Sequence, residues 1–375
     1  MPSNIHLVQR KAWSILSRSF KADRVASTYL LHGPDGLGHW PLAISFAALL
    51  NCTDILTDEE TDLLLPCGRC RSCRRIDELN SEVLHTAVPV GPHKNHDQMV
   101  ELINEFLEQR RREPFRILTA RVPVNIPIDR AREIKKSLSL KNAGGFRRVV
   151  LFSHMHRMKT ASADALLKMI EEPPADTVII LTAEKPEMLL PTIQSRAQKI
   201  RLDRVPEAMA VEYLVSNYDL AAERARLMVR IASGNLGRSI AMVDDFEEPD
   251  TSRRAVGFLL FKSLFSADNP SAVAMLIEMV NDRDRSAATE LLVLWQSLVR
   301  DCAYYAATGD ESAIVNVDFS PELTRIARFF EQSELAGEMT DCLKIALADL
   351  ALNVHIQAAL VALALKLKSR IQVAA

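Results

Sequence analysis

The chain has 375 residues, 48% of them hydrophobic and 25% charged, with a formal net charge of −2. This is an ordinary globular composition, long enough for two or three domains with sizeable cores. The near-neutral balance excludes a bulk basic field for nucleic acid, so any DNA contact must come from a local patch.

The start, "MPSNIHLVQRKAW", lacks a charged segment followed by an apolar core, so no secretory signal is expected. The longest apolar run, "AALVALAL" near the C-terminus, is too short to span a bilayer and runs into "KLKSR". A soluble, cytoplasmic chain is expected.

The first informative element is "STYLL", then "HGPDGLGHW" at 32–40, then "PLAISFAALL". Strand, glycine loop and helix in that order match the layout of a phosphate-binding P-loop, G-x-x-x-x-G-K-[ST]. Gly33 and Gly38 stand at the two glycine positions, with Gly36 between them. The Lys position holds His39 and the Ser/Thr position holds Trp40. His39 is shorter than lysine and mostly neutral at pH 7. Trp40 offers only a donor and cannot hold Mg²⁺. Pro41 removes a further backbone N–H from the first helical turn.

Next comes "NCTDILTDEETDLLLPCGRCRSC". Cys67, Cys70 and Cys73 form C-x2-C-x2-C, and Cys52 supplies a fourth thiol upstream. In a cytosolic chain such a cluster points to metal rather than to disulfides. Four thiolates complete a closed tetrahedral zinc site, which is structural because no position stays open for water. Arg69, Arg71, Arg74 and Arg75 crowd the same knuckle; they read as a solvated face, with acidic partners or DNA phosphate as the alternative. Cys302 and Cys342, alone in helical apolar surroundings, read as packed free thiols.

Up to about residue 203, strand-like runs ("STYLLHG", "VLHTAVPV", "FRILTARV", "RRVVLFS", "DTVIILTA") alternate with helical patterns such as "QMVELINEFLEQRRR" and "DRAREIKKSLSL". That alternation predicts an α/β module, a parallel sheet with flanking helices. In an ATPase of this kind an apolar strand ends in Asp-Glu, which holds Mg²⁺ and positions water. Here "RRVVLFSHMHRM" has Ser153 and His154 at that place. Losses at both motifs argue against ATP hydrolysis. His154 and His156 lack a carboxylate or Cys to complete a metal site, so they are read as making local polar contacts.

Residues 159–202 carry the most specific pattern. A helix, "ASADALLKMIEE", is stopped by Pro173-Pro174; strand "TVIILTA" follows; then "LLPTIQSR" presents Ser195 and Arg196. From Pro206 the strand signals stop. "PEAMAVEYLVSNY" and "AAERARLMVRIASG" predict a small helical unit running to about 247, with Gly234 as a helix stop. "FEEPDTS" reads as a linker. The remainder, 250–375, reads as wholly helical, with starts at Asn269-Pro270 and Ser320-Pro321. Its last stretch is apolar on more than one face, as in a helix inside a bundle or between subunits.

"ALLKMIEEPP", "LLPTIQSR" and the glycine loop together resemble the clamp-loader branch of the AAA+ ATPases. The four-cysteine insertion narrows the resemblance to bacterial DNA polymerase III clamp-loader subunits, and loss of both Walker motifs narrows it to the delta-prime branch. The match spans the first domain and "ASGNLGRSIAM" at 232–242, and is otherwise limited to helical character. It implies an AAA+ P-loop-type module at 1–203 with a zinc insertion at 52–73, a helical lid domain at 204–247 and an all-α collar at 250–375. It implies gamma/tau and delta partners and, through the assembled loader, the beta sliding clamp and primer-template DNA. In that family a Ser-Arg-Cys motif supplies an arginine finger to the next subunit's ATP site. Here it reads Ser195-Arg196-Ala197, so Arg196 takes the finger's place. Thr182 takes the sensor-1 place, as a remnant or a strand-end hydrogen-bond partner. Gly237 stands at the sensor-2 arginine position, with Arg238 one place late.

The expectation is therefore a non-catalytic subunit in DNA replication, with structural zinc and no ATP binding of its own. Two alternatives stay open: an active gamma/tau-type ATPase with divergent Walker motifs, and a stand-alone zinc-containing DNA-binding protein.

Overall fold

The computed structural model describes residues 5–118, 124–139, 146–158, 169–243, 253–266, 285–331, 334–352 and 354–374. They divide into two compact units, Met1–Asn217 with Ala232–Ala241, and Tyr218–Ile231 with Met242–Ala375. The stretches "ASADALLK", "FEEPDTS" and Asn269-Pro270 lie outside the described residues.

The first unit is built on five parallel strands: β1 (Thr28–His32), β4 (Leu84–Ala87), β5 (Arg148–Phe152), β6 (Thr177–Ala183) and β7 (Gln198–Arg201). A two-stranded hairpin, β2 (Leu56–Thr57) with β3 (Leu64–Leu65), lies in the cysteine insertion. The sheet order is β4-β5-β6-β1-β7. All seven residues of β6 are buried, as a parallel strand covered on both faces requires. Tyr29, Leu30 and Leu31 of β1 are equally enclosed. Leu31 pairs in register with Thr182, and Phe152 with Leu181. The loop after β1 therefore meets the C-terminal ends of β5 and β6, the edge where ligands bind in open α/β sheets.

Around the sheet run α1 (Ile5–Val8), α2 (Arg10–Lys21), α3 (His39–Leu50), α4 (Arg71–Asp77), α5 (His96–Arg112), α6 (Ile128–Leu138) and α7 (Pro191–Arg196). Every residue of α3 is buried. "HWPLAISFAALL" has no polar stripe to offer solvent, so this helix belongs inside. Further on, α8 (Glu207–Tyr218) and α10 (Leu236–Ala241) follow the sheet.

Two local expectations change. "FRILTARV" is not a strand in its described part: residues 115–118 are irregular, and 119–123 lie outside the described residues. Its apolar content serves another purpose, because Phe115 is buried against the glycine loop. Conversely β7, "QKIR", forms an edge strand although only Ile200 of it is buried. A single inward residue leaves almost no periodic signal.

The second unit contains α9 (Ala222–Ile231) and the longer helices α11 (Arg253–Leu264), α12 (Arg285–Thr308), α14 (Leu335–Ala351) and α15 (Ile356–Ala374). α13 (Ser320–Ala327) carries a proline in its first turn. Phe258, Phe261, Trp295, Leu298, Met339 and Leu367 share one core, and the Trp295 indole donates to Gly257 O at 2.9 Å. Buried Asp301 accepts from the backbone of Val315 and Asn316 at 3.1 and 2.9 Å. This carboxylate thus holds the turn that follows α12. Cys302 is a buried free thiol and Cys342 a half-buried one. Ile345, Leu352 and Leu365 stay exposed at 55%, 77% and 58% on or beside α14 and α15. No helix among the described residues is long and apolar enough to cross a membrane.

Candidate functional site

The loop between β1 and α3 keeps the backbone of a phosphate loop. Gly36 and Gly38 have φ of +90° and +101°, a region that side chains rarely tolerate. Side chains pack closely on this loop. A Cβ on Gly38 would lie 2.8 Å from the Phe115 ring and 3.1 Å from Ile5; one on Gly36 would lie 2.4 Å from Asn235 Oδ1. The cavity left among Gly33, Gly38, His39, Ser153 and Thr182 is about 10 Å³, close to the room one water needs.

Asp35, inside the loop, organises what surrounds it. One carboxylate oxygen accepts from Gly36 N at 2.9 Å, and the other from Leu118 N at 2.8 Å. His154 Nε2 lies 3.1 Å from the second oxygen. The other ring nitrogen, Nδ1, lies 2.9 Å from Ser153 Oγ. The arrangement suits a ring that donates through Nε2 to Asp35 and accepts at Nδ1 from the serine hydroxyl. His154 N donates to Thr182 Oγ1 at 2.8 Å, and its own backbone is left-handed at φ +55°. The residues at the Walker B and sensor-1 places are thus hydrogen-bonded back onto the loop. Burial alone would raise the Asp35 pKa. The hydrogen bond from His154, the Arg110 charge and the Leu118 N–H outweigh it and hold the carboxyl well below the usual range.

Gly237 extends the same closure. Its N–H donates to Gly36 O at 3.0 Å, and a Cβ there would sit 2.3 Å from Phe115 O and 2.5 Å from Gly36 Cα. Only glycine lets α10 start this close to the loop. Asn235 reinforces the contact by donating to Asp35 O at 2.8 Å. A side chain as large as arginine has no place at Gly237, so no charged group reaches the loop from there.

His39 is buried, and its Nε2 has no hydrogen-bond partner among the described residues. Burial pushes its pKa down to about 4. Trp40 is a core residue, packed edge-on against Phe106 at 5.9 Å between centroids. His156, also with a buried unpartnered nitrogen, is likewise pushed down to about 4 by burial. A histidine kept neutral in the folded state binds fewer protons than in the unfolded chain. Its contribution is complete above about pH 6.5, falls as the pH drops toward 4, and is lost below that. For His39 the expected loss is about 3 kcal/mol. Urea unfolding at pH 7 and pH 4.5 should show wild type losing more stability than His39→Gln; equal losses would contradict the assignment.

Arg196 ends α7 on the surface, half-exposed, with Nε donating to Glu171 Oε1 at 3.1 Å. Ser195 Oγ donates to Thr192 O at 3.1 Å and so secures the short helix. Neither residue adjoins this chain's own loop cavity.

The four cysteines come together. Their sulfurs all lie within 4.8 Å of one another. Cys67 N donates to Cys52 Sγ and Cys70 N to Cys67 Sγ, both at 3.3 Å, and Cys73 N donates to Cys70 Sγ at 3.4 Å. Backbone N–H groups aimed at sulfur favour thiolates. Gly68, at φ +70°, turns the knuckle. The β2–β3 hairpin is fixed to α2 through the Trp13 indole on Leu64 O and through Leu64 N on Ser17 Oγ. Four soft donors converging at this spacing fit a tetrahedral dication. Of the nearby arginines, Arg69 pairs with Asp54 and Arg75 with Glu82, while Arg74 donates to Arg69 O.

Asp35, Asn235, Phe115 and Arg110 escape a reading of the sequence, although they make the site what it is. Asp35 alone left a trace, as the acid within the glycine loop.

A parallel sheet in this order, with a glycine loop following β1, defines an α/β module of AAA+ type whose phosphate loop is closed by its own side chains. The chain belongs to the family described as DNA polymerase III, delta subunit, whose family model matches residues 8–206. It is 26% identical over 243 residues to the DNA polymerase III subunit delta' of Bacillus subtilis, covering 64% of this chain and 61% of that one. With the delta' subunit of Pseudomonas aeruginosa it shares 27% over 234 residues, covering 62% and 60%. The tau/gamma subunit of Haemophilus influenzae is 24% identical over 234 residues, covering 61% of this chain and 28% of that one. The match thus spans about three fifths of the length of these delta' relatives.

Proposed function

We propose that this chain is a delta-prime-like subunit of a DNA polymerase III clamp loader that does not hydrolyse ATP. It would assemble with gamma/tau and delta in the cytoplasm and help the loader place the beta sliding clamp on primer-template DNA. The observation that carries this reading is the closed surround of the loop: Asp35 accepts from Gly36 N and lies against His154, and Phe115 and Gly237 pack on Gly38 and Gly36, leaving a cavity of about 10 Å³. A subunit whose glycine loop takes no nucleotide undergoes no nucleotide-driven population shift at that loop, so it suits a fixed member against which others move. We assign 1–203 to the AAA+ module, 204–247 to a lid and 250–375 to a collar. The exposed Ile345 and Leu365 favour contact between collar helices of neighbouring subunits.

Arg196 is the residue with a chemical role in this reading. A guanidinium delivered in trans stabilises charge on a neighbour's γ-phosphate in the transition state. Its ion pair with Glu171 is a surface one and costs at most about 1 kcal/mol to break, so the side chain is available to an incoming phosphate. The four cysteines would hold zinc, which supplies a structural cross-link between the hairpin and α4.

The gamma/tau-type relatives keep the active-ATPase alternative in view, and His39→Lys separates the two readings. If the loop were merely divergent, restoring lysine would restore turnover. The closed-loop reading expects no ATP hydrolysis and a loss of stability, because an ammonium would enter a buried site without a free acceptor. Turnover above buffer rate by the isolated His39→Lys chain would overturn it.

A further inference from the structure

A second cavity, about 230 Å³, lies within the first unit beside α3 and the end of α5. Arg110, Arg111 and Arg112 border it, with Tyr213 and Asn217 of α8 across from them. One acid, Asp77, borders it too, so the lining carries three positive charges and one negative. Basic residues in a last helical turn are accounted for by the helix dipole, which covers Arg111 and Arg112. It does not account for Arg110, which is 5% exposed. Arginine is almost never buried unless paired.

Arg110 has no ion pair among the described residues. Its guanidinium carries five N–H groups, donates to Arg116 O, and lies 5.2 Å from the Phe106 ring centroid. The nearest acid that acts on it, Asp35, is already engaged by His154, Gly36 and Leu118. Asp35 thus offsets only part of the Arg110 charge, and a buried guanidinium bordering an open polar cavity can take a further anion from that side. Arg112, exposed on the same rim with no ion-pair partner among the described residues, adds a second charge that is free to turn inward. Tyr213, set edge-on to Phe115 at 5.2 Å, also lines the cavity and carries a phenol hydroxyl able to donate.

We infer that this cavity binds a multiply charged phosphate anion, with Arg110 as the buried anchor and Arg112 as the rim contact. The forked guanidinium geometry matches phosphate oxygens. The ligand is a free polyphosphate or the phosphate tail of a nucleotide. The inference does not depend on the clamp-loader assignment, because Arg111, Arg112, Tyr213 and Asn217 border this cavity alone, although Arg110, Trp40 and Pro114 also border the glycine-loop cavity.

The test is calorimetric titration of the full chain with inorganic pyrophosphate at constant ionic strength, with ATP and sulfate as parallel arms. One saturable site is expected, weakened about tenfold by Arg112→Gln and abolished by Arg110→Gln. Should Arg110→Gln fail to fold by circular dichroism, Arg112→Gln decides. Equal binding of pyrophosphate and ATP assigns the site to free phosphate; tighter ATP binding, likewise weakened in Arg112→Gln, assigns it to nucleotide. No saturable binding at millimolar pyrophosphate, sulfate binding as tightly, or affinity unchanged in Arg112→Gln would overturn the inference.

Discussion

Replacing Arg196 by alanine is expected to lower ATP turnover at the adjoining gamma/tau site of a reconstituted loader by about a thousandfold. Removing a finger that acts only on transition-state charge leaves ground-state contacts in place, so loader assembly, followed by gel filtration, should not change. Arg196 is half-exposed at the end of α7, and its ion pair with Glu171 is solvent-screened. The substitution therefore leaves no buried charge unpaired and should cost this chain little stability. Lysine at the same position keeps charge but loses the fork, so Arg196→Lys should recover only part of the rate. Unchanged turnover in Arg196→Ala, with the complex intact, would show that this arginine is only a surface ion-pair partner.

The second large effect concerns the cysteines. Zinc removal by a chelator, or Cys73→Ser, is expected to abolish one equivalent of bound zinc. The first unfolding transition should fall by roughly 10 °C, since structural metal binding is folding energy for the segment it closes. Cys73 is fully buried on α4, and its N–H donates to the sulfur of Cys70, which caps the start of that helix. Losing the cluster frees the hairpin that Trp13 and Ser17 hold against α2. The same treatment should leave the second unit's own transition in place, because its core of Phe261, Trp295 and Leu367 contains none of these residues. Protein purified without chelator that contains no stoichiometric zinc would contradict the assignment.

Much of the frame is legible in the residues themselves. "STYLL", the glycine loop and "PLAISFAALL" announce strand, turn and buried helix by local pattern alone, and the cysteine spacing announces a cluster. The misreadings share a cause. "FRILTARV" has the composition of a strand, yet Phe115 and Ile117 instead close on Gly38 and Gly36. β7 is an edge strand with one buried side chain, so its pairing with β1 supplies the order that its own pattern lacks. Asp35 and His154 are 119 positions apart, and Asp35 and Asn235 are 200 apart. Side-chain bonds across such distances leave no periodicity. His154 looked like a missing acid; in the folded chain it reaches the carboxylate that the loop itself provides.

The central claim is that a chain with a closed phosphate loop drives ATP chemistry only in its partners. The measurement that tests it most directly is steady-state ATP turnover on primed DNA with beta clamp. It compares the isolated chain, gamma/tau with delta, and all of these together. Turnover at buffer rate is expected for the isolated chain, with a clear rise when it joins gamma/tau and delta. Hydrolysis by the isolated chain, or a loader indifferent to its addition, would show that this chain is not a non-hydrolysing partner of gamma/tau and delta.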